Sequence, residues 1–312
     1  MQSTSLLFKD KHLSTIIPSL FRKNFKCNYS RERVTTLDGD FFDIDWVHNK
    51  SDKLIILIHG LEGSSDQHYI KSQAHLFSQN GFDICAFNFR SCSGQMNKTM
   101  SLYHSGATDD LELLLSKIQS EKKYKEIHLI GFSLGGNVIL KYLGEKPRVG
   151  ITSACTFSVP IDLEACSYQL ARGFNRLYSY IFMRTLRVKV KHIQKQFKEN
   201  KIANLDPKIL KTFLEFDEFV TAPLHGFKNA KDYWTQSSSK QFLKFINIPT
   251  LLVNAKNDPF LAKECYPNPQ EIGNSNLQLE YPNFGGHVGF VEKSLNKYCW
   301  MDRRALEFVK SI

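Results

Sequence analysis

No stretch of this 312-residue chain approaches the run of about 18 apolar residues that a bilayer-spanning helix needs, so no transmembrane segment is expected. No leader is expected either, because Lys9, Asp10 and Lys11 precede any apolar run of signal-peptide length and Pro18 interrupts the next apolar patch. The seven cysteines (Cys27, Cys85, Cys92, Cys155, Cys166, Cys265, Cys299) are odd in number and never in C-x-x-C spacing. That argues against a disulfide framework and a zinc site, and for a reducing compartment. With no Walker A loop, no G-x-G-x-x-G and no clustered His/Asp set, neither a cofactor nor a metal is expected. Linkers rich in Pro, Gly and Ser are missing as well, and 42% hydrophobic with 23% charged residues is an ordinary globular balance. The expectation is one domain, 1–312, in the cytoplasm.

What the chain does have is alternation. Apolar positions at mixed spacing (Leu13, Ile16, Ile17, Leu20, Phe21) make the first thirty residues read as an irregular arm. Val34 to Val47 then alternates about Asp38-Gly39, which predicts an antiparallel hairpin. Lys53 to Ile58 and Phe82 to Phe89 are continuous apolar runs, as buried central strands require, with a helix from about Gln67 to Ser78 between them. A helix over Leu111 to Ile118, with Asp109 and Glu112 as its capping box, precedes a strand ending at Gly131. Another helix follows, ending before Gly144 as its C-terminal cap, and then a strand near Ile151 to Val159. Strand and helix in turn predict an α/β fold: a mostly parallel central sheet with helices on both faces. The alternation stops between Pro160 and about Phe245 and resumes with the strands Pro249 to Asn254 and Leu277 to Tyr281 and a helix from Asp302 to Val309. Residues 161–246 are therefore expected to form an inserted helical cap over the carboxyl ends of the strands.

The chemistry is expected at Gly131-Phe132-Ser133-Leu134-Gly135, where strand turns sharply into helix. A serine between two glycines at such a junction is the nucleophile-elbow pattern, which leaves its oxygen exposed above the sheet. A serine hydroxyl needs a base to take its proton and a third group to orient that base. Asp258, in Asn257-Asp258-Pro259 just past a strand, is the candidate acid, because Pro259 keeps it out of helix. Asp162 is the runner-up. Of ten histidines, His287 in Gly285-Gly286-His287-Val288-Gly289 lies in the loop after the last strand and is the candidate base, with His225 a weaker one inside the cap. For the oxyanion hole, the N–H groups of Leu134, next to the nucleophile, and Leu61, in the His59-Gly60-Leu61 turn, are the candidates.

These residues resemble the α/β-hydrolases and, more narrowly, the YheT-type subfamily of predicted hydrolases and esterases. The likeness runs through His12-Leu13-Ser14-Thr15-Ile16-Ile17-Pro18 to Arg22, HGLEGSS at 59–65, NFRSCSGQMN at 88–97, YHSGATDDL at 103–111, GFSLGGN at 131–137, TAPLHGF at 221–227 and GGHVGF at 285–290. The subfamily is related to lipid-active hydrolases and to medium-chain fatty acid ethyl ester synthases. The resemblance implies the triad Ser133, Asp258 and His287 and ester chemistry. The chain departs from the subfamily's NFRGCSGE at Ser91 and Gln95, neither a triad position.

The expected function is cleavage of carboxylic esters with medium or long acyl chains through an acyl-serine intermediate. The alternatives are an acyltransferase on the same triad and a non-catalytic lipid-binding protein on a hydrolase scaffold. Residues 167–198 hold eight of the cations behind the net charge of +10 and no Asp or Glu. The spacing there predicts an amphipathic helix, with Leu170, Phe174, Leu177, Ile181, Val190, Ile193 and Phe197 on one face. Arg172, Arg176, Arg184, Arg187, Lys191, Lys195 and Lys198 fall on the other. The expected partners are a small-molecule acyl ester and, through 167–198, the periphery of an anionic membrane surface. No nucleic-acid motif accompanies the charge, so no nucleic acid is expected.

Overall fold

In the computed structural model, which describes residues 4–199 and 201–312, eight strands form one sheet in the order β1-β2-β4-β3-β5-β6-β7-β8. The hairpin expected about Asp38-Gly39 is β1 (Ser30–Thr35) and β2 (Phe41–Val47), paired antiparallel with Val34 opposite Phe42. Gly39 takes φ +77°, the left-handed conformation this turn requires. β2 also pairs antiparallel with β4 (Asp83–Asn88). From there β3 (Lys53–Ile58), β5 (Glu126–Phe132), β6 (Ser153–Phe157), β7 (Thr250–Val253) and β8 (Leu277–Glu280) run parallel.

The apolar run of β3 shows why the sheet is central. Leu54, Ile56 and Ile58 enter a core on one face and Ile55 and Leu57 a second core on the other, all fully buried. Each such side chain contributes about 1.5–3 kcal/mol of burial. The helices α2 (His68–Gln79), α3 (Asp109–Ser120) and α4 (Leu134–Glu145) supply the connections between successive parallel strands.

Three local expectations are corrected. The N-terminal arm is not irregular: Leu13–Phe21 is a helix, α1, with Pro18 inside it. Its signal was Asp10, whose carboxylate accepts the N–H groups of His12 and Leu13 at 2.9 Å each. At its far end the buried Arg22 pairs with Asp302 and donates to Ser72 Oγ at 2.8 Å, pinning the arm to the core. The capping box at Asp109 and Glu112 does not form, since α3 already begins at Asp109 and both neighbouring acids are engaged elsewhere: Asp110 with Arg90 and Glu112 with Arg148. Gly144 lies within α4 and does not end it. A Cβ there would sit 2.2 Å from the Phe242 carbonyl, so this glycine serves close packing of the turn Ser239–Phe245 against the helix.

Between β6 and β7 the chain leaves the sheet and builds α5 (Leu163–Leu170), α6 (Asn175–Gln196) and several shorter helical turns. The two-faced division expected of α6 is only partly present. Val190 and Ile193 are buried, but Phe174, Leu177 and Ile181 are exposed and lie among the arginines, while Lys189 is buried. The wheel allows this because Leu177 and Ile181 fall between Arg184 and His192, on the side turned away from the cap's own core. No helix among the described residues is long and apolar enough to cross a membrane.

Candidate active site

β5 carries the chain to Phe132, and the next residue, Ser133, adopts φ 51° and ψ −119° before α4 begins at Leu134. A β-carbon-bearing residue pays a conformational penalty there, one that persists only where surrounding contacts fix it. Ser133 N–H donates to the Phe157 carbonyl on β6 at 2.9 Å. On the other side α4 approaches β3 so closely that a Cβ on Gly135 would lie 2.5 Å from the carbonyl oxygens of Ile58 and His59. The turn is thus held by backbone on both flanks.

His287 Nε2 lies 3.0 Å from Ser133 Oγ, and its Nδ1 lies 2.9 Å from Asp258 Oδ2 and 3.2 Å from Oδ1. Asp258 follows β7, stays non-helical before Pro259 and is 5% exposed; its Oδ1 also accepts the Phe260 N–H at 2.9 Å. A carboxylate at Nδ1 favours the tautomer that leaves Nε2 as an acceptor for the serine proton. The histidine loop has no regular structure of its own and is held by side chains from elsewhere. Thr15 Oγ1 on α1 accepts the His287 N–H at 2.9 Å, and Asn257 Oδ1 accepts the N–H groups of Gly285 and Gly286, both at 2.9 Å. Ser158 Oγ accepts the Val288 N–H at 2.9 Å, and the Phe260 ring stacks on the imidazole at 4.0 Å.

The runners-up are employed otherwise. Asp162 caps α5 by accepting the Ala165 N–H at 3.2 Å. The His225 ring stands 4.4 Å from that of His104, and burial pushes its pKa down to about 4.

Among the described residues, neither Leu61 N–H nor Leu134 N–H donates to a protein acceptor, while the neighbouring groups are taken. Gly60 N–H donates to Tyr69 Oη at 3.1 Å and Glu62 N–H to Tyr103 Oη at 2.7 Å. His59 accepts the Phe89 N–H at Nε2, 3.2 Å away, which leaves its Nδ1–H to donate to the Gly60 carbonyl at 2.6 Å. Burial lowers the His59 pKa to about 4, so this ring is a neutral brace for the turn.

Above Ser133 and His287 opens a mostly apolar cavity, partly continuous with solvent, walled by residues of the helical segment between β6 and β7 such as Leu170, Phe182, Leu186, Phe213 and Trp234. Its one acidic wall residue is Asp217, whose carboxylate accepts Trp234 Nε1–H at 2.7 Å and Thr221 Oγ1–H at 2.8 Å. Burial without a cationic partner pushes its pKa up to about 7. No cluster of three or more His, Cys, Asp or Glu side chains suited to a metal occurs among the described residues.

Residues 53–294 match the family model described as the alpha/beta hydrolase fold. The chain belongs to the α/β-hydrolase family. Within that family it is of the YheT type: it is 32% identical over 304 residues to the YheT protein of Escherichia coli (strain K12), covering 95% of this chain and 89% of that one. It is also 31% identical over 297 residues to phospholipase ABHD3 of Mus musculus, covering 91% of this chain and 72% of the other. Among solved structures, the Pyrococcus furiosus esterase Pf2001 shares this hydrolase's fold with a TM-score of 0.61 at 19% identity, covering 93% and 97% of the two chains.

Several supporting residues lay outside the sequence reading: Thr15, Asn257, Ser158, Phe260, Glu62, Tyr103 and Lys189. For some a signal existed. Thr15 and Tyr103 fall within stretches that carry the family likeness, and Asn257 adjoins Asp258. Ser158 has no local signal; its φ of +54° is seen only once β6 and β7 are paired.

Proposed function

We propose that this chain is a serine hydrolase of carboxylic esters with medium or long acyl chains. The observation that carries the reading is a continuous relay, Ser133 to His287 to Asp258, facing an apolar cavity beside two undonated N–H groups. Ser133 Oγ attacks the ester carbonyl carbon as His287 Nε2 takes its proton, and Asp258 stabilises the imidazolium that forms. The charge that develops on the carbonyl oxygen is met by the N–H groups of Leu61 and Leu134, two backbone donors beside Ser133 that no protein acceptor occupies. His287 returns the proton to the departing alkoxide, freeing the alcohol and leaving acyl-Ser133. Water, deprotonated by the same imidazole, then releases the acid. An alcohol in place of that water would yield a new ester, the transferase alternative. The phospholipase name of the mouse relative supports a lipid ester as substrate.

The test is intact-mass analysis after fluorophosphonate treatment, with hydrolysis of p-nitrophenyl esters from two to twelve carbons. One adduct per chain, abolished in Ser133→Ala, and turnover that rises toward the longer acyl groups are expected. A folded native protein that neither labels nor turns over overturns the assignment. Ethyl ester formed in added ethanol at the expense of free acid would move the chain to the transferase alternative.

The ester is met at an anionic lipid surface. Supporting this, α6 exposes Leu177, Tyr180, Ile181 and Val188 among Arg176, Arg184, Lys191 and Lys195, with Phe174 just before it and no acidic residue along its length. Apolar side chains enter the headgroup boundary while each nearby cation gains about 1 kcal/mol from anionic headgroups. Co-flotation with phosphatidylserine vesicles, reduced at least tenfold with phosphatidylcholine alone and in Ile181→Glu, is expected; equal flotation with both lipids removes the role of charge.

A further inference from the structure

Lys189 is the exception among the cap's cations. It projects inward from α6, and its Nζ lies 2.5 Å from Glu62 Oε1, with the two side chains only 11% and 9% exposed. Among the described residues this is the one ion pair that joins 161–246 to the rest of the chain. Its partner is the residue immediately after Leu61.

Glu62 is a non-glycine residue at φ +54°, a conformation that needs outside support. The support is specific. Tyr103 Oη accepts the Glu62 N–H at 2.7 Å and donates back to Glu62 Oε1 at 2.7 Å, and Lys189 Nζ lies over the Tyr103 ring at 4.9 Å from its centre. The ammonium also touches Cys92 Sγ at 3.4 Å. Burial works against the Lys189 charge, but Cys92 and Glu62 outweigh it and its pKa moves up, so it stays a cation.

The consequence concerns the adjoining peptide. In a trans peptide the C=O and N–H point in opposite directions, so whatever holds the Gly60 carbonyl aims the Leu61 N–H. His59 Nδ1–H at 2.6 Å and Gly63 N–H at 3.1 Å hold that carbonyl from one side. The Glu62 peptide, two bonds further along, is held by Tyr103 and, through the carboxylate, by Lys189. Loss of the cation leaves a nearly buried carboxylate without its counter-charge, and turning it out to water moves Glu62 and the peptide before it.

We propose that Lys189 and Glu62 form a latch through which the closed cap sets the oxyanion donor at Leu61, which makes Lys189 a positioning residue for the ester chemistry. The latch rests on the hydrolase assignment above. It predicts that cap and catalytic loop are energetically coupled even for an ester too small to fill the cap's cavity.

The experiment compares native protein, Lys189→Met, Lys189→Arg and Glu62→Gln on p-nitrophenyl acetate, with active sites counted by fluorophosphonate titration. It adds the inhibition constant of a trifluoromethyl ketone, which becomes an oxyanion only when bound to Ser133. Expected for Lys189→Met is a kcat per titrated site lower by about 20–100-fold with KM within about threefold, since loss of one oxyanion donor is worth about 100–1,000-fold. The ketone should weaken in parallel, amides 60–65 should exchange hydrogen faster, and Lys189→Arg should stay within about threefold of native by keeping the charge. A merely structural bolt would lower the melting temperature and the titratable fraction but leave kcat per site and the ketone constant unchanged, and that result overturns the latch. Should Lys189→Met fail to fold, Glu62→Gln, which keeps the shape and the Tyr103 bonds, decides in the same way. A native protein that neither turns over nor labels overturns the hydrolase assignment and the latch with it, whereas an active native protein with native-like variants overturns the latch alone.

Discussion

Ser133 and His287 meet at 3.0 Å, yet they arrive there by different means. The serine stands at the end of a central strand, its backbone gripped by β6 on one side and by the close approach of α4 to β3 on the other. Everything that aims it is main chain, or the absence of a Cβ within two residues of it. The histidine sits in a loop and is aimed by side chains from four places: α1, the turn after β6, Asn257 and Phe260. The serine's position is a property of the sheet, whereas the histidine's is a property of the assembled molecule. Substitution should therefore reach the histidine in graded steps, whereas on the serine's side it meets either the serine oxygen itself or glycines with no room for a Cβ.

The largest expected effect is at the acid. Asp258→Asn keeps the shape and one oxygen beside His287 Nδ1, but its amide N–H₂ competes for that nitrogen and favours the tautomer with the proton on Nε2. A fall in kcat of about 10⁴ with little change in melting temperature is expected from steady-state kinetics. A fall below tenfold would mean that Asp258 does not orient the base.

The two buried carboxylates of this region give the second contrast, because Asp258 has an imidazole for a partner and Asp217, in the cavity wall, has only an indole N–H and a hydroxyl. Well below pH 3.8 Asp217 is protonated in folded and unfolded chains alike. As pH rises from its ordinary 3.8 to about 7 the unfolded chain releases the proton and the native one keeps it, so the native state loses stability over that window. Asp217→Asn cannot ionise and escapes the loss. Denaturant unfolding at pH 5 and pH 8 should show the difference between variant and native moving in the variant's favour by about 1–3 kcal/mol, given 1.36 kcal/mol per unit. A difference that does not change with pH would show that Asp217 titrates in its ordinary range.

The same contrast explains what could be read from sequence. Strand, elbow and helix around Ser133 are encoded within the contiguous stretch Glu126 to Glu145, and the alternation of β3 to β6 carries the parallel sheet, so both were legible. Asp258 and His287 were legible as positions in a chain order, though nothing local to them says what holds the loop. The sequence of α1 does not show a helix because its apolar residues pack on two sides, Ile17 against the sheet's core and Ile16 against the cluster of Leu170, Tyr178 and Phe260, which blurs a helical period already broken by Pro18. Lys189 was invisible for a related reason: a lysine in a basic helix reads as one more solvated charge until a buried glutamate from the loop after β3 is placed beside it.

The smallest effect tests the comparison most directly. Thr15 touches none of the reacting atoms; its Oγ1 accepts the His287 main-chain N–H while its own hydroxyl donates to the Lys11 carbonyl, just before α1, at 2.7 Å. Thr15→Val preserves volume and branching and removes the acceptor, leaving a half-buried N–H whose lost partner is worth about 1–3 kcal/mol. If α1 aims the base, kcat and the fluorophosphonate labelling rate should fall together by about tenfold with KM within about twofold, because small displacements of a positioned group carry large rate effects. If the loop were aimed from within, as the elbow is, the variant would lose a little stability and no rate. No equivalent substitution exists for the nucleophile, since the Ser133 N–H bond runs to the Phe157 carbonyl and no side-chain change removes it. The Ser133–His287–Asp258 relay is therefore anchored through backbone at one end and through exchangeable side chains at the other, and the N-terminal helix touches the histidine loop and the loop after β7 that carries Asp258.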